Sequence, residues 1–171
     1  MTHNILVSDP ISEKGLQSLI HHPDFNVDFK SGLTEKELVD IIPNYQGLIV
    51  RSQTQVTESI INHASNLKVI ARAGVGVDNI DIKSATLNGI LVVNAPDGNT
   101  ISATEHSVAM ILAMARNIPQ AYTSLKNKEW NRKAFKGVEL YQKVLGVIGA
   151  GRIGLGVAKR LKSFGMTVLA Y

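Results

Sequence analysis

Cysteine is absent from this chain, which excludes disulfides, thiol nucleophiles and zinc-thiolate sites and is compatible with a reducing compartment. Aromatic residues are scarce as well, at 5% with a single tryptophan, so there is no repeated stacking platform for single-stranded nucleic acid. Long apolar runs are missing. Nothing approaches the ~20 residues of a membrane helix, and Met1-Thr-His-Asn-Ile-Leu-Val reads as a first strand rather than a signal peptide. A cytoplasmic protein with no membrane partner is expected. Charged residues are also sparse, at 19% of 171, against 44% hydrophobic, enough for a sizeable core in one domain or one and a fraction. The formal charge is +4, and the one dense basic stretch is Lys126, Lys128, Arg132, Lys133 and Lys136 around Trp130. One aromatic among these cations argues against a nucleic-acid partner and leaves two readings, a solvated surface or a contact to a small anion.

What is present is a series of short apolar segments alternating with capped helices, the pattern of an α/β fold built on a parallel sheet. Strands are expected over residues 5–8, 25–29, 47–50, 68–71 and 90–93. Helices start after Ser12, Thr34, Thr57 and Asp81, each of which can accept an orphan amide at a helix N-terminus. Thr34 and Glu37 have the spacing of a capping box, and their helix ends near Pro43. Pro96-Asp97-Gly98-Asn99 is the strongest turn cluster and places a domain boundary at residue 98. Beyond it, residues 101–116 form a helix that is apolar almost all round, which calls for burial within the protein or against a partner. A second helix runs from Pro119 to about Lys128.

The stretch Lys143-Val-Leu-Gly-Val-Ile-Gly-Ala-Gly-Arg-Ile-Gly154 is an apolar strand entering G-x-G-x-x-G, a dinucleotide-binding fingerprint. Gly149 permits the tight turn, Gly151 lets a pyrophosphate approach the backbone, and Gly154 lets the following helix pack on the strand. The context supports the motif. Ile153, Val157, Leu161 and Phe164 follow at helical spacing, Gly165 stops the helix, and residues 166–171 read as the next strand, completing a βαβ unit. An acid about 20 residues beyond the first glycines normally binds the ribose hydroxyls. None lies between Gly149 and Tyr171, so NAD and NADP are not distinguished.

In open α/β sheets, ligands bind beyond the carboxyl ends of the strands. Two strands end in arginine: Arg51 follows Gly47-Leu-Ile-Val50, and Arg72 follows Val69-Ile-Ala71 and leads into Ala73-Gly-Val-Gly-Val-Asp78. The planar guanidinium fork binds carboxylates or phosphates bidentately, and consecutive amides near Gly74 and Gly76 could form an anion nest. Together these features indicate a small, multiply charged substrate. Taken singly, each arginine would equally well cap a strand or pair with an acid. No metal site is indicated. His106 follows Glu105 at the start of the apolar helix, but adjacent helical residues do not face each other, and the reading is structural.

In this order, Arg51-Ser52, Ala71-Arg-Ala-Gly-Val-Gly-Val-Asp-Asn-Ile-Asp81, Asn94-Ala-Pro-Asp-Gly-Asn99, Lys128-Glu-Trp-Asn-Arg132 and Gly149-Ala-Gly-Arg-Ile-Gly154 resemble the D-isomer-specific 2-hydroxyacid dehydrogenases. The resemblance covers essentially the whole chain. It implies a flavodoxin-like parallel-sheet substrate domain over residues 1–98, followed by the start of a Rossmann NAD-binding domain over residues 99–171. It implies oxidation of 3-phosphoglycerate at its 2-hydroxyl by hydride transfer to NAD, giving 3-phosphohydroxypyruvate, the first step of phosphorylated serine biosynthesis, in a homodimer or tetramer. On the same ground, the backbone at Gly74, Val75 and Gly76 would clamp the substrate carboxylate. Arg51 and Arg72 would hold its charged ends, and Arg132 would reach the phosphate from the other subunit. Gly149, Gly151, Arg152, Ile153 and Gly154 would meet the cofactor's pyrophosphate.

Relatives often carry threonine where this chain has Val75, so the resemblance leaves only a backbone role there. The family's catalytic histidine, its carboxylate partner and its catalytic arginine match nothing in this stretch. No residue here is therefore expected to be catalytic, and the 171-residue chain is expected to be inactive alone. Within the same family, a glyoxylate or hydroxypyruvate reductase is the rival reading. Its substrates carry no phosphate, so a second arginine and a basic loop are less needed. An NAD-sensing corepressor-like binding protein is the rival from another class, and the strand-end arginines favour an anionic metabolite over a peptide.

Overall fold

Parallel strands cannot be joined by tight turns; each must be followed by a crossover long enough to return to the same edge of the sheet. The computed structural model describes residues 2–171. The chain divides into two units, Met1–Gly98 and Asn99–Tyr171. In the first, β1 (His3–Val7), β2 (Phe25–Phe29), β3 (Gly47–Val50), β4 (Val69–Arg72) and β5 (Leu91–Asn94) form an all-parallel sheet in the order β2-β1-β3-β4-β5. This is the flavodoxin-like winding. The crossovers carry α1 (Glu13–Ile20), α2 (Glu35–Ile41), α3 (Glu58–His63) and α4 (Ile82–Leu87).

Side-chain alternation divides the core into two layers. Leu6, Leu48, Val50 and Ile70 face one side, where they pack with Leu38, Ile60, Ile61 and Ala85 from α2, α3 and α4. Ile5, Val7 and Ile49 face the other, against Leu16 and Leu19 of α1. β3 is buried along its whole length, which is why it reads as an uninterrupted apolar run. One helix covers less than three do, and Leu91 and Val93 of β5 remain exposed.

The caps follow the sequence with one difference. The Thr34 amide donates to Glu37 Oε2 at 2.8 Å, and the Glu37 amide donates to Thr34 Oγ1 at 3.3 Å, completing the capping box. Thr57 and Asp81 accept from the Ile60 and Ser84 amides. Ser12 stands at the N-cap of α1, but its side chain makes no capping bond.

The second unit runs through α5 (Thr100–Ala115), α6 (Ile118–Lys126), a 3-10 turn (Arg132–Phe135), β6 (Val144–Val147), α7 (Arg152–Lys162) and β7 (Thr167–Ala170). β6 and β7 pair in parallel. Val157, Leu161 and Met166 form the core, with Val108, Ile111, Leu145 and Ile153 around them. Within this chain α5 is covered on one side only, and Ile101, Met110 and Met114 stay exposed. The outer face of the β6–β7 pair is open too: Val144, Ile148, Leu169 and Tyr171 are exposed, whereas parallel sheets are ordinarily covered on both faces. Among the described residues, no helix is long and apolar enough to cross a membrane.

α5 and α7 meet at Gly156, where an added Cβ would lie 2.6 Å from Thr104 Oγ1. Thr104 is fully buried and donates to the Thr100 carbonyl at 2.7 Å, so it has little room to yield. Gly156→Ala is expected to destabilise the second unit by about 1–3 kcal/mol through overpacking. Urea denaturation checks this, and the loss should shrink when Thr104→Ala is introduced in the same chain.

Candidate functional site

Three strands of the first unit deliver their carboxyl ends to one place. Ser8 and Asp9 follow β1, Arg51 follows β3, and Arg72 is the last residue of β4. Asp9 is only 3% exposed. Its carboxylate accepts the amides of Arg51 at 2.6 Å, Gln53 at 3.1 Å and Thr54 at 3.0 Å, together with the Thr54 hydroxyl at 2.5 Å. Burial alone would raise its pKa. The hydrogen bonds from the Thr54 hydroxyl and from the Arg51, Thr54 and Gln53 amides outweigh that, so the carboxyl titrates below its ordinary 3.8.

The carbonyl side of the same turn is also engaged. Asn79 is buried, and its Nδ2 donates to the Arg51 carbonyl at 2.8 Å and to the Thr54 carbonyl at 2.7 Å. With the turn's backbone held from both sides, the Arg51 side chain projects into solvent. Its guanidinium has no hydrogen-bond or ion-pair partner among the described residues.

Arg72 is placed differently. Its side chain is 12% exposed and lies beneath the loop that follows β4. Nε donates to the Arg51 carbonyl at 3.1 Å, Nη1 donates to the Gly76 carbonyl at 2.6 Å, and Nη2 lies 3.8 Å from Asp78 Oδ1. The Gly74 carbonyl accepts from the Ala95 amide at 2.9 Å, and the Val75 carbonyl accepts from Asn94 Nδ2 at 2.6 Å. Every carbonyl of residues 74–76 is therefore tied back, while the Val75 and Gly76 amides have no partner among the described residues. A loop with successive unpartnered amides can take an anion. Its glycines serve close approach: a Cβ on Gly74 would come within 3.0 Å of Arg72 Nη1, and one on Gly76 within 2.7 Å of Asp78 Oδ1.

In the second unit, the fingerprint turn has the geometry its three glycines require. Gly149 has φ +90°, a left-handed value that favours glycine. A Cβ on Gly154 would collide with the Gly149 carbonyl oxygen and sit 3.2 Å from Val147 Cγ1, so the third glycine is needed for packing. Around Gly151 nothing lies within 4 Å of where a Cβ would be. Gly151 is the N-cap of α7 and supplies no side-chain cap, and Arg152 and Ile153 open the helix behind it. An open approach to a helix N-terminus suits a pyrophosphate. Arg132 lies on the 3-10 turn after the Trp130 loop, beside a pocket lined by Leu125, Trp130 and Phe135. Trp130 is 80% exposed.

Sequence reasoning singled out the arginines and glycines and missed Asp9, Asn79 and Asn94. Asp9 had a signal: an acid directly after an apolar strand, at the same edge as Arg51 and Arg72. Asn79 and Asn94 had none that separates them from ordinary loop asparagines.

The profile of the D-isomer specific 2-hydroxyacid dehydrogenase catalytic domain matches residues 5–166, so the chain belongs to that family. It is 54% identical to the D-3-phosphoglycerate dehydrogenase of Methanocaldococcus jannaschii and 53% identical to that of Synechocystis, in each case over 98% of this chain. It covers 32% and 30% of those two proteins, so it spans about a third of the length of the curated relatives it matches. Among solved structures, the NAD+-bound 3-phosphoglycerate dehydrogenase of Entamoeba histolytica aligns with TM-score 0.78 and 28% identity, over 100% of this chain and 54% of that one.

The lowered Asp9 pKa fixes the sign of a pH effect. Ionised Asp9 stabilises the fold above its unfolded-state value near 3.8, and that contribution is lost as pH falls through the lower folded-state value. Asp9→Asn is expected to be less stable than the parent at neutral pH and to lose less stability on acidification below 3.8. Urea midpoints measured across that range check it.

Proposed function

We propose that this chain supplies the substrate-binding region and the opening of the NAD-binding region of a D-3-phosphoglycerate dehydrogenase, acting on 3-phosphoglycerate in serine biosynthesis. Two observations at one sheet edge carry this reading: the Arg51 guanidinium has no partner among the described residues, and neither do the Val75 and Gly76 amides, on a loop whose carbonyls are all tied back. Two separated donor sets suit a ligand with an anion at each end. The names of the relatives at 53–54% identity support a phosphorylated hydroxy acid over its unphosphorylated analogues.

In this reading, the Val75 and Gly76 amides receive the carboxylate, and Arg51 binds the other charged end. Arg72 and Gly74 hold the loop in shape, with Arg72 lending positive potential from beneath it. Arg132 reaches the phosphate from a second copy in a homodimer. The turn at Gly149, Gly151 and Gly154, with the amides of Arg152 and Ile153, holds the pyrophosphate of the cofactor. NAD, when bound there, would supply hydride-accepting chemistry at C2 of the substrate. The chain's own contribution is to place that carbon by binding its flanking charges, a role that lowers the entropic part of the barrier.

Amide spectra of the isotope-labelled chain test the proposal. Titration with 3-phosphoglycerate is expected to shift Arg51, Val75 and Gly76, and NAD is expected to shift residues 149–154. Arg51→Ala should weaken 3-phosphoglycerate binding about tenfold, the loss of one charge-assisted contact. An equal response to D-glycerate, which lacks the phosphate, would count against the assigned substrate.

A further inference from the structure

We propose that Asp9 is the positioning residue of this anion site. Its carboxylate fixes the 51–54 turn that carries Arg51, and Asn79 joins that turn to the 72–79 loop, so guanidinium and loop amides meet a ligand as one preorganised unit. The inference rests on the functional reading above and adds a residue to it.

The geometry is specific. A carboxylate has about four acceptor positions, and Asp9 fills them from one short turn: three backbone amides and one hydroxyl, all between Arg51 and Thr54. The Ser8 hydroxyl, 3.0 Å from Thr54 Oγ1, adds a second contact from the end of β1. On the opposite side, the Arg51 carbonyl accepts from both Asn79 Nδ2 and Arg72 Nε, and the Thr54 carbonyl accepts from Asn79 Nδ2. The turn is thereby held from β1 through its amides and from the loop after β4 through its carbonyls. The Arg51 side chain is what remains to meet a ligand. Fixing the turn before binding removes an ordering cost that would otherwise weaken affinity. A purely structural Asp9 would lower the stability of the fold and leave the affinity of the folded chain unchanged. A positioning Asp9 must act through Arg51.

The test uses the isotope-labelled 171-residue chain and its Asp9→Asn, Thr54→Val, Arg51→Ala and Asp9→Asn/Arg51→Ala variants. The readouts are backbone order at residues 51–54 from heteronuclear NOE and 3-phosphoglycerate affinity from amide shifts. Asp9→Asn is expected to mobilise residues 51–54 and weaken 3-phosphoglycerate binding about tenfold, yet to change it less than about twofold when Arg51 is already alanine. Thr54→Val, which keeps the carboxylate and its amide bonds, is expected to act in the same direction by about threefold. Unchanged affinity in a folded Asp9→Asn chain, or equal losses in both backgrounds, overturns the proposal. If Asp9→Asn does not fold, Thr54→Val decides, and unchanged affinity there overturns it. If the parent chain fails to bind 3-phosphoglycerate, the assigned substrate falls. Backbone order alone then decides the role of Asp9, with an undisturbed 51–54 turn in Asp9→Asn or Thr54→Val overturning it.

Discussion

Parallel pairing is the constraint from which the rest of the first unit follows. Because every strand runs the same way, every carboxyl end opens on one edge, and every crossover returns by the other. Loops of widely separated sequence are thereby brought together at that edge: Asp9 meets Thr54 across a separation of 45 residues, and Asn79 meets Arg51 across 28. The sheet supplies proximity without chemistry. The chemistry comes from which backbone groups the loops leave unpaired.

A buried carboxylate at such an edge is costly unless its acceptors are filled. Asp9 meets that condition with amides of the neighbouring loop, so the same bonds that make its burial tolerable also fix the Arg51 turn. The loop after β4 shows the complementary solution. Its carbonyls are satisfied by Arg72, Asn94 and Ala95, while its Val75 and Gly76 amides are left without a partner among the described residues. Saturating one side of a peptide segment is how a protein makes the other side available, and it happens here with both polarities. The fingerprint turn of the second unit works by a third means. There the third glycine admits the Gly149 carbonyl, and the second leaves the helix N-terminus unobstructed.

Most of the architecture was legible because its determinants are local. The Thr34–Glu37 capping box, the caps at Thr57 and Asp81, the alternating strand of β2 and the apolar run of β3 each lie within a few consecutive residues, and the structure reproduces them. Ser12 was legible as a helix start, but not in its lack of a capping bond. The exposure of Met110 and Met114 could not be read from α5, because an all-round apolar pattern does not say which side is covered. The candidate site was half legible. Glycines and arginines at strand ends are conspicuous by type and position. The groups that orient them act across sequence separations of 19 to 45 residues, and a single asparagine or aspartate carries no mark of such a partner.

The two arginines show why residue type at a strand end does not settle its role. Both follow an apolar run, and both reach the same edge. After β3, the amides of Arg51, Gln53 and Thr54 go to Asp9 and the carbonyls of Arg51 and Thr54 to Asn79 and Arg72, so the turn is held without the Arg51 guanidinium. After β4, the chain makes a glycine-rich loop with a carbonyl at Gly76 that no strand satisfies, and the Arg72 guanidinium bends back to supply the donor. The glycines that allow the loop to approach Arg72 are the same ones that commit Arg72 to it, since a Cβ at Gly74 or Gly76 would occupy the space around its Nη1. A rigid fork with several directed donors suits that bracing task, and a flexible ammonium would not replace it. One guanidinium is thus left unpartnered among the described residues while the other braces the loop, and the division is set by the backbone groups each strand leaves unpaired.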